Sequence, residues 1–168
     1  VDRNYSRTFN LTEETIKEIQ TVKQEHIPFT DEEIELLWSH ADDKRYADVI
    51  LIQCYSGWRP QELGLLELEN VDLENWTFKG GMKTDAGMDR VVPIHSKIRP
   101  LVERKYKEAV EIGSRYLFNY TDGRNGKPTT LTYQRYQTGF TMVRDELKLN
   151  PEHRPHDGRK HFVTAAKK

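Results

Sequence analysis

A single cysteine in 168 residues excludes any disulfide within the chain. Cys54 ends the apolar run that begins at Val49 and reads as a small buried hydrophobe. No stretch approaches the roughly 20 apolar residues that cross a bilayer, so no membrane partner is expected. The first residues, Val1-Asp2-Arg3-Asn4, lack the apolar core of a signal peptide, which leaves a cytoplasmic protein as the default. Internal repeats and low-complexity tracts are missing as well. What is present, 36% apolar and 32% charged side chains, describes a polar globular chain long enough for one domain with a core, or one domain and an arm.

The net charge of -1 conceals segregation. Residues 1–76 carry 7 Lys and Arg against 17 Asp and Glu, whereas residues 77–107 carry 8 against 3 and residues 124–168 carry 10 against 4. Basic blocks of this kind suit a polyanion, most simply nucleic acid.

Residues 1–26 read as an arm or linker that includes a helix over Leu11–Gln24, and residues 27–168 as the domain. Thr30-Asp31-Glu32-Glu33 forms a capping box ahead of an apolar stripe of Ile34, Leu37, Trp38 and Ala41. A helix over about 44–55 is apolar on most sides and should be central. From Val71 the pattern changes to short β-rich runs, Val71-Asp72-Leu73 and Trp76-Thr77-Phe78. Met82-Lys83-Thr84 and Arg90-Val91-Val92-Pro93-Ile94 then flank a turn at Asp85-Ala86-Gly87. Helices are expected over 96–113, 132–147 and 156–168, and a basic loop over 122–127. The fold class is α+β: mainly helical, with a small three-stranded antiparallel sheet.

Arg59 stands between two hydrophobic segments, on a turn marked by Gly57 and Pro60. Its neighbours should be buried, so its guanidinium should face a cleft and an anion. His156 and Arg159 share a face near a helix start, where backbone N–H groups already favour an anion. Taken alone, the segment 154–161 is simply a helix start with basic side chains. Read together with Arg59 and with Lys83 beside its hairpin turn, it becomes a candidate phosphate site.

In this order and context the motifs resemble the catalytic domain of tyrosine recombinases, the phage and conjugative-transposon integrase family. Ser56-Gly57-Trp58-Arg59-Pro60-Gln61-Glu62-Leu63 is similar to the family's first arginine motif. Met82-Lys83-Thr84 with Arg90-Val91-Val92-Pro93-Ile94 is similar to its lysine hairpin, and His156-Asp157-Gly158-Arg159 to its His-x-x-Arg motif. The segment 28–33 resembles the opening of that domain. Lys160 stands where the family often has histidine, and Gly158 where leucine is common. The family's nucleophilic tyrosine lies beyond Arg159, and no position here matches it, since all eight tyrosines precede His156.

The resemblance implies site-specific DNA recombination or integration through a 3′-phosphotyrosine. Arg59 and Arg159 would clamp the phosphate, Lys83 would act as general acid, His156 would exchange protons, and Glu62 would orient Arg59. It implies no metal and no cofactor. It also implies a catalytic-domain fragment that binds DNA without cutting it, because the nucleophile is not in the chain. Expected partners are double-stranded DNA at recombination sites and other integrase protomers. Lys79, Arg90, Arg124, Lys127, Arg135, Arg154 and Lys160 are the candidate DNA-backbone contacts. Three readings stand beside this one: a non-catalytic DNA-binding module of the same fold, a type IB topoisomerase-like enzyme, and a metalloprotein using His153, His156, His161 and Cys54.

Overall fold

The computed structural model describes residues 25–82 and 89–168. The expected arm and the helix over Leu11–Gln24 fall almost wholly outside these residues, and Lys83, Thr84, Asp85, Ala86, Gly87 and Met88 lie outside them as well.

Six α-helices and two small antiparallel sheets make up the described part. α1 (Asp31–Ser39) starts at the expected capping box. Thr30 Oγ1 accepts from the Glu33 N–H at 3.2 Å, and Glu33 accepts from the Thr30 N–H at 2.9 Å. α2 (Ala47–Ser56) starts three residues later than expected, because Tyr46 adopts φ 72 and breaks the helical run. Its residues from Ala47 to Cys54 are all buried, as suits a central helix that is apolar on nearly all sides. α1, α4 (Arg99–Glu111), α5 (Tyr133–Glu146) and α6 (Asp157–Ala166) all pack against α2. α3 (Pro60–Leu63) is a single turn with proline at its first position, where a missing N–H costs nothing.

The first sheet has the order β1 (Val71–Asp72), β2 (Thr77–Gly80), β3 (Arg90–Pro93). Phe78 pairs with Val71 on one side and Val92 on the other, and all three are buried. The three-stranded expectation holds: β3 pairs with β2 from Thr77 opposite Pro93 to Gly80 opposite Arg90, while the expected run at Lys83 and Thr84 lies outside the described residues. Gly80 and Gly81 end the strand, and Gly81 takes φ 122, which suits a residue without Cβ. A second hairpin, β4 (Asn119–Thr121) with β5 (Pro128–Thr130), carries the basic loop between its strands. Its strands are three residues long and show no apolar alternation, so the sequence pattern predicted only the loop.

One polar side chain inside α2 connects distant parts of the fold. Gln53 is fully buried. Its Nε2 donates to the Trp58 carbonyl at 3.1 Å and to the Pro155 carbonyl at 2.8 Å. Its Oε1 accepts from the Tyr136 hydroxyl at 2.6 Å. The amide therefore ties the turn after α2 to the turn before α6, with α5 as a third support. Gly158 lets α6 come this close, since a Cβ there would lie 2.6 Å from Gln53 Oε1.

Replacing Gln53 with leucine leaves two carbonyls and a hydroxyl buried without their partner. It is expected to cost about 3 kcal/mol in urea unfolding, against about 1 kcal/mol for Tyr136→Phe. Equal losses for the two variants would count against the bridging role.

Candidate active site

α2 ends at Gly57, which has φ 73 and whose N–H donates to the Gln53 carbonyl. The left-handed conformation and the space both call for glycine, because a Cβ here would enter the Phe162 ring of α6. The chain then buries Trp58 and Pro60 on either side of Arg59. Trapped between two buried residues, the Arg59 side chain is driven outward and keeps 36% of its surface exposed.

Glu62 follows one turn later and is completely buried. A buried carboxylate requires compensating donors, and three reach it. Oε2 accepts from the Arg59 N–H at 2.8 Å and from Arg90 Nη2 at 3.1 Å, and Oε1 accepts from Arg59 Nη1 at 3.2 Å. Arg90, the first residue of β3, also lies over the Trp58 ring at 4.6 Å from its centroid. Its position is thereby fixed by an indole face and a carboxylate.

Arg159 approaches from α6 and donates from Nη1 to the Gly57 carbonyl at 2.7 Å, which attaches the second arginine to the turn that carries the first. Burial lowers the pKa of Arg159, as do the positive charges of Arg59 and Arg90, while Glu62 opposes them. Two guanidiniums thus bond to one buried carboxylate, and a third is held beside them by a carbonyl. The excess positive charge favours an anion at their exposed ends.

His156 is the residue that caps α6, one position before Asp157. Its ring stacks on His26 at 5.1 Å. Burial lowers its pKa, followed by the charges of His26, Arg159 and Arg59, against a raising effect of Asp157. It is therefore a neutral imidazole near pH 7, able to accept a proton. A shallow cleft next to the arginines is lined by Gly57, Val92, Pro93, Phe162 and Val163.

The structure brings Arg59, Glu62, Arg90, His156 and Arg159 together. Lys83 lies outside the described residues. Lys79 is exposed on β2, Arg124 and Lys127 are exposed in the β4–β5 loop, and Arg154 and Lys160 are exposed around the start of α6. Arg135, near the start of α5, stacks on Tyr120 with 3.3 Å from Cζ to the ring centroid. Arg90 was read from sequence as a backbone contact, and its bond to Glu62 had no local signal. His26 was not singled out from sequence, and its contacts with His156 and Asp157 had no local signal. Among the described residues no three His, Cys, Asp or Glu side chains gather to hold a metal. Both His153 ring nitrogens face carboxylates, and Cys54 is buried in α2, where burial pushes its thiol pKa well up.

The Phage integrase family profile matches residues 10–166. No curated protein sequence matches the chain. Among solved structures, XerA recombinase is 17% identical at TM-score 0.69, with 88% of this chain covering 53% of that one. The Tn1549 transposon integrase in complex with circular intermediate DNA is 22% identical at TM-score 0.68, with 87% of this chain covering 54% of that one. The same integrase with transposon right end DNA gives 19% identity, TM-score 0.67, and coverage of 98% and 69%. The chain thus spans about half of the length of the first two relatives, and at these identities the likeness establishes the fold.

Removing the shared carboxylate tests the geometry. Glu62→Ala is expected to destabilise the fold by about 3 kcal/mol in denaturant unfolding. The exposed Glu69→Ala should stay within about 0.5 kcal/mol of wild type.

Proposed function

The chain belongs to the phage integrase family, and from that premise we propose that residues 27–168 are the catalytic domain of a site-specific DNA recombinase acting through a 3′-phosphotyrosine. The observation that carries this reading is the attachment of Arg59 and Arg159 to one turn, through Glu62 and the Gly57 carbonyl respectively. Two planar, permanently charged groups placed this way suit the non-bridging oxygens of a phosphodiester, where negative charge grows as the phosphorus is attacked.

In the proposed reaction a tyrosine oxygen bonds to the phosphorus and the bond to the 5′-oxygen breaks. His156, neutral near pH 7, takes the tyrosine proton, and Lys83 supplies a proton to the leaving 5′-oxygen. A 5′-hydroxyl from the partner strand reverses the step, so the energy of the broken bond is kept and no nucleotide is consumed. Glu62 acts by positioning Arg59. The arginines supply the charge stabilisation that a metal ion would otherwise give. None of the eight tyrosines matches the family's nucleophile, so the chain by itself is proposed to grip DNA without cutting it.

Double-stranded DNA is the proposed partner, with other protomers of the same protein assembled on it. The Tn1549 integrase was solved in complex with DNA, which supports this choice. Lys79, Arg124, Lys127, Arg135, Arg154 and Lys160 are the proposed backbone contacts. Arg90, engaged with Glu62 and Trp58, belongs with the clamp.

Duplex binding measured from low to high salt should weaken linearly on logarithmic axes. Arg159→Ala should lower the slope by about one, as removal of one phosphate contact does. Binding that ignores salt would overturn the reading. A nicked suicide duplex should give no denaturant-resistant protein–DNA adduct with this chain. An adduct would mean that a residue within it is the nucleophile.

A further inference from the structure

His153 is the most enclosed histidine in the described structure and takes no part in the proposed chemistry. Only 1% of its side chain is exposed. Nδ1 lies 2.8 Å from Asp157 Oδ2, and Nε2 lies 2.8 Å from Glu33 Oε2. A neutral imidazole has one N–H and one lone pair, so it would turn the lone pair against a carboxylate. Only the imidazolium satisfies both oxygens. Phe29 stacks on the ring at 4.2 Å between centroids and shields it from water.

The two carboxylates hold backbone as well as the ring. Glu33 accepts from the Thr30 N–H at 2.9 Å and, through Oε1, from the Asn150 N–H at 2.9 Å. Asp157 accepts from the Arg154 N–H at 3.0 Å, and its Oδ1 lies 3.2 Å from His26 Nδ1. His26 in turn stacks on His156. A single buried ring thus joins the N-terminus of α1, 120 positions away, to the first residue of α6. Asp157 adjoins His156 and precedes Arg159 by two residues, so whatever fixes its carboxylate fixes the turn that presents both.

We propose that His153, as a buried imidazolium, is the positioning residue that sets the first turn of α6 and thereby presents His156 and Arg159 to the phosphate. This rests on the recombinase reading for what is presented, but the assembly itself is a property of the fold.

The charged and titratable groups around the ring are Glu33 on α1, Asp157 and His161 on α6, His26 across Asp157, and Arg144 on α5, whose Nη1 donates to the His153 carbonyl at 3.2 Å. Burial disfavours the charged ring, but the bonds and charges of Asp157 and Glu33 outweigh it and raise the pKa above 6.5. A raised pKa gives a stabilisation that is complete below the ordinary histidine value and disappears as pH rises through the folded one. The clamp should therefore loosen on the alkaline side.

Ring-nitrogen correlations on the 15N-labelled chain test this directly. At about pH 7 His153 should carry two protonated nitrogens, and Glu33→Gln should move its titration to lower pH. The His156 ring signals should shift in step with His153 as the pH is raised further. His153→Gln, verified as folded by its thermal transition, should weaken duplex binding about tenfold, the scale on which loss of an outer partner weakens the group it holds. A neutral single tautomer of His153 at about pH 7 overturns the proposal. So does a His156 signal that ignores the His153 titration, or unchanged duplex affinity in the folded variant. The wild-type titration needs no variant and decides the matter even if His153→Gln does not fold. If the wild-type chain binds no duplex at all, the recombinase reading fails, while the ring signals still decide the role of His153.

Discussion

The site depends on one buried amide. Gln53 holds the carbonyls of Trp58 and Pro155, the residues immediately before Arg59 and His156. An amide nitrogen has two hydrogens in a fixed plane, so one side chain can fix two chain segments relative to each other with little freedom left. The geometry around it follows from that. Gly158 gives room for α6, Gly57 gives room for Phe162, and the Arg159 guanidinium then falls on the Gly57 carbonyl. A core built only of leucine and isoleucine would bury the same surface without specifying this register.

Charge placement adds a second constraint. Among the described residues Glu62 is the one carboxylate bonded to the clamp arginines, and its three bonds are enough to hold Arg59 and Arg90 but not to neutralise Arg159 as well. The site is stable enough to form and still short of negative charge, a balance that suits a transient anionic guest. The rest of the chain is unevenly charged in the same sense, since the acidic residues gather before Trp76 and the basic ones after it.

Much of this was legible in the sequence because it is local. The capping box at Thr30, the apolar run of α2, the turn at Gly57 and Pro60, and the His156-x-x-Arg159 spacing all lie within a few residues. The missed features are long-range or weakly patterned. Gln53 lies within an apolar helix, and nothing near it in the sequence points to Pro155, 102 positions away. His153 invited a metal-ligand reading because its carboxylate partner Glu33 belongs to another helix. Arg90 looked like any basic strand residue until Trp58 and Glu62 were placed beside it. The β4–β5 hairpin escaped because its strands bury too little to show an alternation.

The bond between Arg159 and Gly57 also spans 102 positions. Contacts that close so long a loop form late, after local helices and hairpins have settled. As a polypeptide emerges from its N-terminus, the turn bearing Arg59 is complete well before α6 exists, and until α6 docks there is half a grip. The pairing of Arg59 with Arg159 therefore forms only when α6 docks, and a nascent chain that lacks α6 carries Arg59 without its second guanidinium.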